Sequence, residues 1–167
     1  MSVPDRSIDG RLLEAAKSEF LKNGYEKTSL SEICRKAGVT TGALYKRYNG
    51  KEDLFSALVS GLIGEMEDYV SKIVIEDISV LTDAEIYESM TMKPEFILGF
   101  FRFLYERKES FSILVKCAGG TKYESFRYDW AERVNEQVWK YYEEARRRKM
   151  TSKTVSKKEM SVLTAVL

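Results

Sequence analysis

The sequence predicts an all-α protein, and three observations carry that prediction. Nearly every periodic stretch repeats its apolar residues three or four positions apart, which is the spacing of one face of a helix. Only two prolines occur in 167 residues, so long helices can run without interruption. Glycines such as Gly24 and Gly38 stand where apolar patterns end, as is typical of helix C-termini.

The N-terminal part of the chain predicts four helices in close succession. The first is expected over 8–23. The second follows Ser29, which forms a capping box with Glu32, and is expected to end at Gly38. A third helix of about two turns begins at Thr40 or Thr41. A longer fourth helix begins just after it, with "NGKE" supplying the start signal. We place a small N-terminal domain of three helices at residues 1–52, and the fourth helix, from about residue 50, is expected to link it to the rest of the chain.

Residues 53–167 predict a second, larger helical domain. Pro94 suits the first turn of a helix that carries apolar residues on more than one face, so we expect this helix to be buried nearly all round. A long helix is expected over about 122–148. The final stretch "EMSVLTAVL" begins another apolar helical pattern that stops before it is complete. We therefore expect this second domain to be C-terminally incomplete.

Composition excludes several classes of protein. No apolar run approaches the length of a membrane-spanning helix, and the N-terminus lacks the apolar core of a signal peptide, so we expect a cytoplasmic protein without a membrane partner. The chain has no histidine, which removes the commonest general base and metal ligand. Cys34 and Cys117 lack the close Cys or His partners of a zinc site. We expect no metal and no cofactor.

The positive charge of the chain is concentrated in one segment and not spread along its length. The formal net charge is only +1, yet five cations and no acidic residue occupy the segment from Arg35 to Lys51. A basic patch on a nearly neutral protein predicts a localised anionic partner.

Residues 29–48 have the layout of a helix-turn-helix, in which two short helices are joined by a glycine-containing turn. Such a motif places the N-terminus of its second helix in the major groove of double-stranded DNA. The residues expected to face the bases are Thr41, Gly42, Tyr45 and Lys46. Lys51 is expected beside free N–H groups in the first turn of the next helix, which suits a phosphate.

The segment "AAKSEFLKNGYEKTSLSEICRKAGVTTGALYKRYNGKEDLFSALV" resembles the DNA-binding domain of TetR-family transcriptional regulators, over about residues 8–60. The resemblance lies in a glycine-aromatic pair after the first helix, "TSL" before the second, "AGV" at the turn, "LYKRY" in the third helix and "KEDL" entering the fourth. The resemblance implies the same four base-facing residues. The phosphate contacts expected from it and from the helix starts are Ser29, Thr40, Arg47, Tyr48 and Lys51.

The resemblance also implies a dimeric repressor released by a small-molecule effector. The C-terminal helices would dimerise, so that two recognition helices read a pseudo-palindromic operator. Tyrosine and tryptophan tips in an otherwise apolar site favour a small hydrophobic or aromatic effector. The expected pocket residues are Phe96, Phe100, Phe103, Phe111 and Trp130.

Some interpretations stay open at this point. Tyr48 is a packing residue or a phosphate contact, and Ser31, where family members often carry arginine, either reads a base or only supports the helix start. The protein is alternatively a helical adaptor that binds only other proteins. An enzyme using Glu65 and Asp68 as an acid-base pair has no support beyond their proximity in sequence, and we expect no enzymatic activity.

Overall fold

The computed structural model describes residues 6–71, 75, 77–91 and 94–164. Within these ranges the chain is helical and contains no strand, which confirms the all-α prediction. A 3-10 helix spans Ile78–Val80. The α-helices, in chain order, are α1 (Arg6–Lys27), α2 (Leu30–Ala37), α3 (Thr41–Tyr45), α4 (Lys51–Ser71), α5 (Asp83–Met90), α6 (Pro94–Glu106), α7 (Lys108–Lys116), α8 (Phe126–Arg147) and α9 (Lys157–Thr164). The continuation of the pattern past residue 164 lies outside the described residues.

The predicted ends of the first and third helices differ in detail from those in the structure. Gly24 interrupts α1 with a φ of 74°, which confirms the glycine stop although helical turns resume for three residues beyond it. The third helix is shorter than the two turns predicted, because it ends at Tyr45. The backbone N–H groups of Arg47 and Tyr48 both bond to the carbonyl oxygen of Leu44, at 2.8 and 2.9 Å. The bond from Arg47 spans only three residues, as in the tighter turns at helix ends.

The chain divides into two compact units. The first comprises Met1–Glu67 and Leu104–Ser125, and the second comprises Asp68–Phe103 and Phe126–Leu167. The core of the first unit draws on α1, α2, α3, α4 and α7. Its largest fully buried side chains are those of Phe20, Phe55, Leu12, Ile33, Leu44, Leu54, Ile113, Leu114 and Val59. The division at residue 52 drawn from the sequence is a functional one, and it stays a prediction.

The second unit has a smaller core around α5 and α8. Ile78, Ile86, Tyr141 and Ala145 are buried together there. Arg148, which follows α8, fastens the segment before α5. Its guanidinium donates to the carbonyl oxygens of Leu81 at 2.6 Å and Ser79 at 2.9 Å. A single planar cation thus satisfies two carbonyl groups at once.

The expectation that α6 is buried nearly all round is wrong for this chain. None of its residues is fully buried. Leu98, Phe101 and Tyr105 are 66%, 56% and 71% exposed. Apolar residues on several faces of a helix show only that each face tolerates burial. Which faces are covered depends on the neighbouring helices.

Candidate nucleic-acid interface

The turn between α2 and α3 is built by local contacts. Ser29 caps α2, with its Oγ accepting a hydrogen bond of 3.2 Å from the N–H of Glu32. Gly38 ends the helix in the left-handed conformation with a φ of 64°. A residue with a Cβ would be strained there, so glycine is required for the turn. The predicted cap and turn of the helix-turn-helix are therefore present.

The short helix α3 has one buried side and one open side. Leu44 is completely buried and anchors the helix to the core. Thr40 caps it, with its Oγ1 accepting from the N–H of Ala43 at 3.2 Å. The four residues predicted to face the bases all lie on the exposed side: Thr41, Gly42, Tyr45 and Lys46.

Three features of this exposed side are not explained by the protein's own packing. A Cβ added at Gly42 would find its nearest neighbour, Thr40 Oγ1, at 4.0 Å, and Gly42 does not have a positive φ. Tyr45 leaves 58% of its surface exposed. In the described part of the chain, no hydrogen bond or ion pair holds the ammonium of Lys46. A face with space, an aromatic ring and a cation is suited to an external anionic partner.

Arg47 and Tyr48 are held more tightly than Lys46. The Nε of Arg47 forms an ion pair with Asp9 Oδ1 on α1 at 2.7 Å, and only 16% of the Arg47 side chain is exposed. Its Nη1 donates to the carbonyl oxygen of Ala43 at 3.1 Å. Tyr48 is half-buried, and burial raises the pKa of its hydroxyl, with smaller contributions from Asp9 and Asp53. Both residues therefore also serve as packing for the motif.

Lys51 has partners that the sequence did not suggest. It was expected beside free N–H groups at the start of α4, and it is the first residue of that helix. Its Nζ donates to the carbonyl oxygens of Tyr25, Thr28 and Glu26, at 2.7, 2.9 and 3.2 Å. The Nζ also lies 4.3 Å from the centre of the Tyr25 ring. These three acceptors match the three N–H groups of an ammonium, so none is left for a phosphate in this arrangement. The contact of Lys51 with a phosphate therefore stays a prediction.

Ser31 belongs to the start of α2. Its Oγ lies 3.1 Å from the Oγ of Ser29, the residue that caps the helix. This contact favours the interpretation in which Ser31 supports the helix start.

The five predicted effector residues divide between the two units. Phe96, Phe100 and Phe103 surround the ring of Tyr69 in the second unit, with ring centres 5.1, 5.2 and 5.6 Å from it. Trp130 stacks on Phe126 in the same unit at 5.7 Å. Phe111 belongs to the first unit. The three α6 phenylalanines are therefore the members of the predicted set that share one aromatic cluster.

Sequence reasoning missed several residues that build the motif. Asp9 pairs with Arg47. Arg11 donates to the carbonyl oxygen of Ala37 at 3.2 Å, which satisfies the C-terminus of α2. Tyr25 supplies both a carbonyl and a ring to Lys51. No pattern in the sequence marks these pairs, because their members lie on different helices.

The described residues contain neither a candidate metal site nor a candidate membrane-spanning helix. No group of three or more His, Cys, Asp or Glu side chains there could hold a metal ion. None of the helices that the structure describes is both long and apolar enough to cross a membrane.

Comparison with known proteins identifies the N-terminal part of the chain. Residues 12–58 match the family described as bacterial regulatory proteins, tetR family. The chain is 40% identical to the HTH-type transcriptional regulator AcrR of Shigella flexneri over 80 residues. This aligned stretch is 46% of this chain and 37% of that protein. The matched part is thus little more than a third of the length of that relative.

Solved structures match over more of the chain. A TetR-family transcriptional regulator of Streptomyces coelicolor A3, SCO3833, superposes with a TM-score of 0.62 at 20% identity, over 93% of this chain and 71% of that one. CprB of Streptomyces coelicolor, a TetR family protein solved with its biological operator sequence, has a TM-score of 0.54 at 23% identity, over 95% of this chain and 74% of its own. At these identities the likeness establishes the fold.

Proposed function

Because residues 12–58 carry the N-terminal domain of the tetR family of bacterial regulatory proteins, we propose that this protein is a transcriptional regulator that binds double-stranded DNA through α3. The observation that carries the proposal is the two-sided character of α3. Leu44 is buried, whereas Thr41, Gly42, Tyr45 and Lys46 are exposed next to one another. The structural neighbour CprB, which was solved with its operator, adds support.

Each exposed residue has a chemical role in this proposal. Thr41 and Tyr45 contact base edges, with the methyl group of thymine as a target for either, and Lys46 reaches a guanine or a phosphate. Gly42 permits close approach of the duplex. Ser29, Thr40, Arg47 and Tyr48 lie at or near phosphates, where hydroxyl groups and a guanidinium are the usual donors.

In the proposed mechanism the protein acts as a dimeric repressor. Residues 1–52 bind DNA, and residues 53–167 pair with a second copy through the C-terminal helices and hold the effector. The two-fold symmetry of a dimer requires two half-sites in a pseudo-palindromic operator. A small hydrophobic or aromatic effector, bound near the α6 phenylalanines, releases DNA only if it binds the DNA-free arrangement more tightly than the DNA-bound one.

The first test is binding of the purified protein to the DNA that flanks its own coding region, at two salt concentrations, with unrelated DNA as competitor. We expect binding that resists the competitor and weakens steeply with salt, because each neutralised phosphate adds about 0.9 to the log-log slope. Lys46→Met should reduce that slope. Lys116→Met, which removes an exposed cation on α7, is the matched control and should leave the slope unchanged.

The alternative of a helical adaptor has one observation in its favour, the exposed apolar side chains Leu98, Phe101 and Tyr105 of α6. The adaptor predicts no affinity for DNA at either salt concentration. DNA binding that was insensitive to salt and to Lys46→Met would contradict the proposed use of α3.

Glu65 is one of the two carboxylates considered above as an acid-base pair of an enzyme. Its carboxylate forms an ion pair with Arg107.

A further inference from the structure

The turn that follows α1 is held from two directions. Gly24 interrupts the helix with a φ of 74°, and Tyr25 donates its backbone N–H to the carbonyl oxygen of Cys117 at 3.1 Å. The buried Thr28 donates its hydroxyl to the carbonyl oxygen of Gly24 at 2.7 Å. These contacts fix the turn from the side of α1 and α7. Within the turn itself, the carbonyl oxygen of Tyr25 accepts from the backbone N–H of Thr28 at 3.2 Å. The carbonyl oxygens of Glu26 and Thr28, and the second lone pair of Tyr25, remain open to another donor.

Lys51 is the group that satisfies them. It is the first residue of α4, and its Nζ is within 3.2 Å of all three oxygens. The Tyr25 ring lies against the same nitrogen, at 4.3 Å from the ring centre. Carbonyl groups at the end of a helix carry partial negative charge, so a cation among them is favourable. The aromatic face adds a further attraction.

The contacts of Lys51 Nζ with the three carbonyl oxygens and the Tyr25 ring form a clamp. This clamp connects the elements that must be arranged for DNA binding. Thr28 immediately precedes Ser29, which caps α2, and α2 leads through Gly38 into the recognition helix α3. Lys51 begins the helix that follows α3. The ammonium therefore ties the entry of α2 to the start of α4, on either side of the helix-turn-helix.

We infer that Lys51 is a positioning residue, which sets the orientation of α2 and α3 by binding the carbonyl oxygens of the turn after α1, and is not itself a phosphate ligand. The inference rests on the proposed DNA-binding function. Moving Lys51 to a phosphate would remove the ammonium from all three carbonyl oxygens, and only that of Tyr25 would keep a backbone donor, the N–H of Thr28. Lys46 is exposed and unpaired within the described part of the chain, so it can bind a phosphate without giving up a partner inside the protein.

The test compares variants that separate charge from fit. Lys51→Met removes the charge and keeps most of the side-chain length. Lys51→Arg keeps the charge, but its planar fork does not fit three acceptors arranged around one nitrogen. Lys46→Met removes an exposed cation. Thermal unfolding is measured for each, together with affinity for a random-sequence duplex and for a duplex enriched from a random library by the unmodified protein.

We expect both Lys51 variants to melt at a lower temperature than the unmodified protein. At temperatures where they are fully folded, both should lose at least five-fold in the ratio of affinities for the enriched and random duplexes. The salt slope on the random duplex should remain unchanged for Lys51→Met. Lys46→Met should instead keep its melting temperature and lower the slope by about 0.9.

Three results would overturn the inference. The first is an unchanged melting temperature for Lys51→Met together with a slope lowered by about 0.9, and the second is full DNA affinity in Lys51→Arg. The third is a lower melting temperature with an unchanged affinity ratio, since that describes a residue that only stabilises the fold. If the unmodified protein binds neither duplex, the proposed function fails. In that case the melting temperature still reports whether the clamp exists.

Discussion

Tyr69 on α4 lies directly against Gly99 on α6. A Cβ at position 99 would be 2.7 Å from the Tyr69 hydroxyl oxygen, and the same hydroxyl donates to the carbonyl oxygen of Phe96 at 3.3 Å. The ring cannot easily move aside, because Phe96, Phe100 and Phe103 surround it. Glycine at 99 is therefore required by the close approach of the two helices in the second unit.

Gly99→Ala should destabilise the protein by about 1 kcal/mol, because the cost of overpacking, about 1–3 kcal/mol, exceeds the gain in helix propensity. Thermal or urea unfolding measures the change. Removing the hydroxyl in the double variant Gly99→Ala/Tyr69→Phe should recover part of the loss. The control is Gly61→Ala in α4, where an added Cβ has no neighbour within 4 Å, and stability should rise by up to about 1 kcal/mol. Equal effects at the two glycines would contradict the contact.

Thr40 and Thr41 are adjacent but should respond differently to alanine. Thr40 caps α3 through its Oγ1, so Thr40→Ala should cost about 1 kcal/mol and lower the melting temperature by about 2–4 °C. Thr41 is exposed, and its loss should leave the melting temperature unchanged while weakening preference among DNA sequences. Calorimetry and duplex-binding titrations distinguish the two. A stability loss at Thr41 instead of Thr40 would show that the cap is misassigned.

Tyr45→Ala should reduce discrimination between DNA sequences more than overall affinity. One base contact is worth about 1–3 kcal/mol, so the affinity ratio between an enriched and a random duplex should fall by about ten-fold or more. The melting temperature should hardly change, since the ring is 58% exposed. Tyr87→Ala removes another exposed tyrosine, on α5, and serves as the control. An equal loss of affinity for both duplexes would argue for a phosphate or packing role.

Glu144 should make the second unit sensitive to acid. Its carboxylate accepts hydrogen bonds from Arg147 and Arg148, which lower its pKa from 4.5 to about 2. A carboxylate with a lowered pKa stabilises the folded state above its ordinary pKa. That contribution is lost as the pH falls from about 4.5 toward 2. The melting-temperature difference between the unmodified protein and Glu144→Gln should therefore shrink across that range.

Other carboxylates with lowered pKa values, such as Glu19 and Glu109, also contribute to acid unfolding. For this reason the comparison uses the difference between two proteins and not the absolute melting temperature. Glu143→Gln, at an exposed neighbouring position on α8, controls for the loss of one negative charge. A difference that stayed constant down to pH 2.5 would show that Glu144 does not titrate as its contacts require.

Local signals accounted for much of the N-terminal fold. The cap at Ser29, the stop at Gly24 and the turn at Gly38 act within four residues of themselves, so sequence spacing predicts them. The exposed side of α3 follows in the same way, because burial of Leu44 fixes the direction of the residues around it. The burial of α6 was predicted wrongly. Its apolar pattern carries no information about which neighbours cover it.

The sequence by itself determined the cap of α2, the turn that follows it and which residues of α3 face outward, since these depend on hydrogen bonds and side-chain periodicity along one short segment. Only the tertiary structure decided the partners of the cations. Arg47 meets Asp9, and Lys51 meets carbonyl groups up to 26 positions away, while Lys46 stays exposed. The three share one basic run in the sequence. They differ because long-range packing sets which charge finds a partner inside the protein.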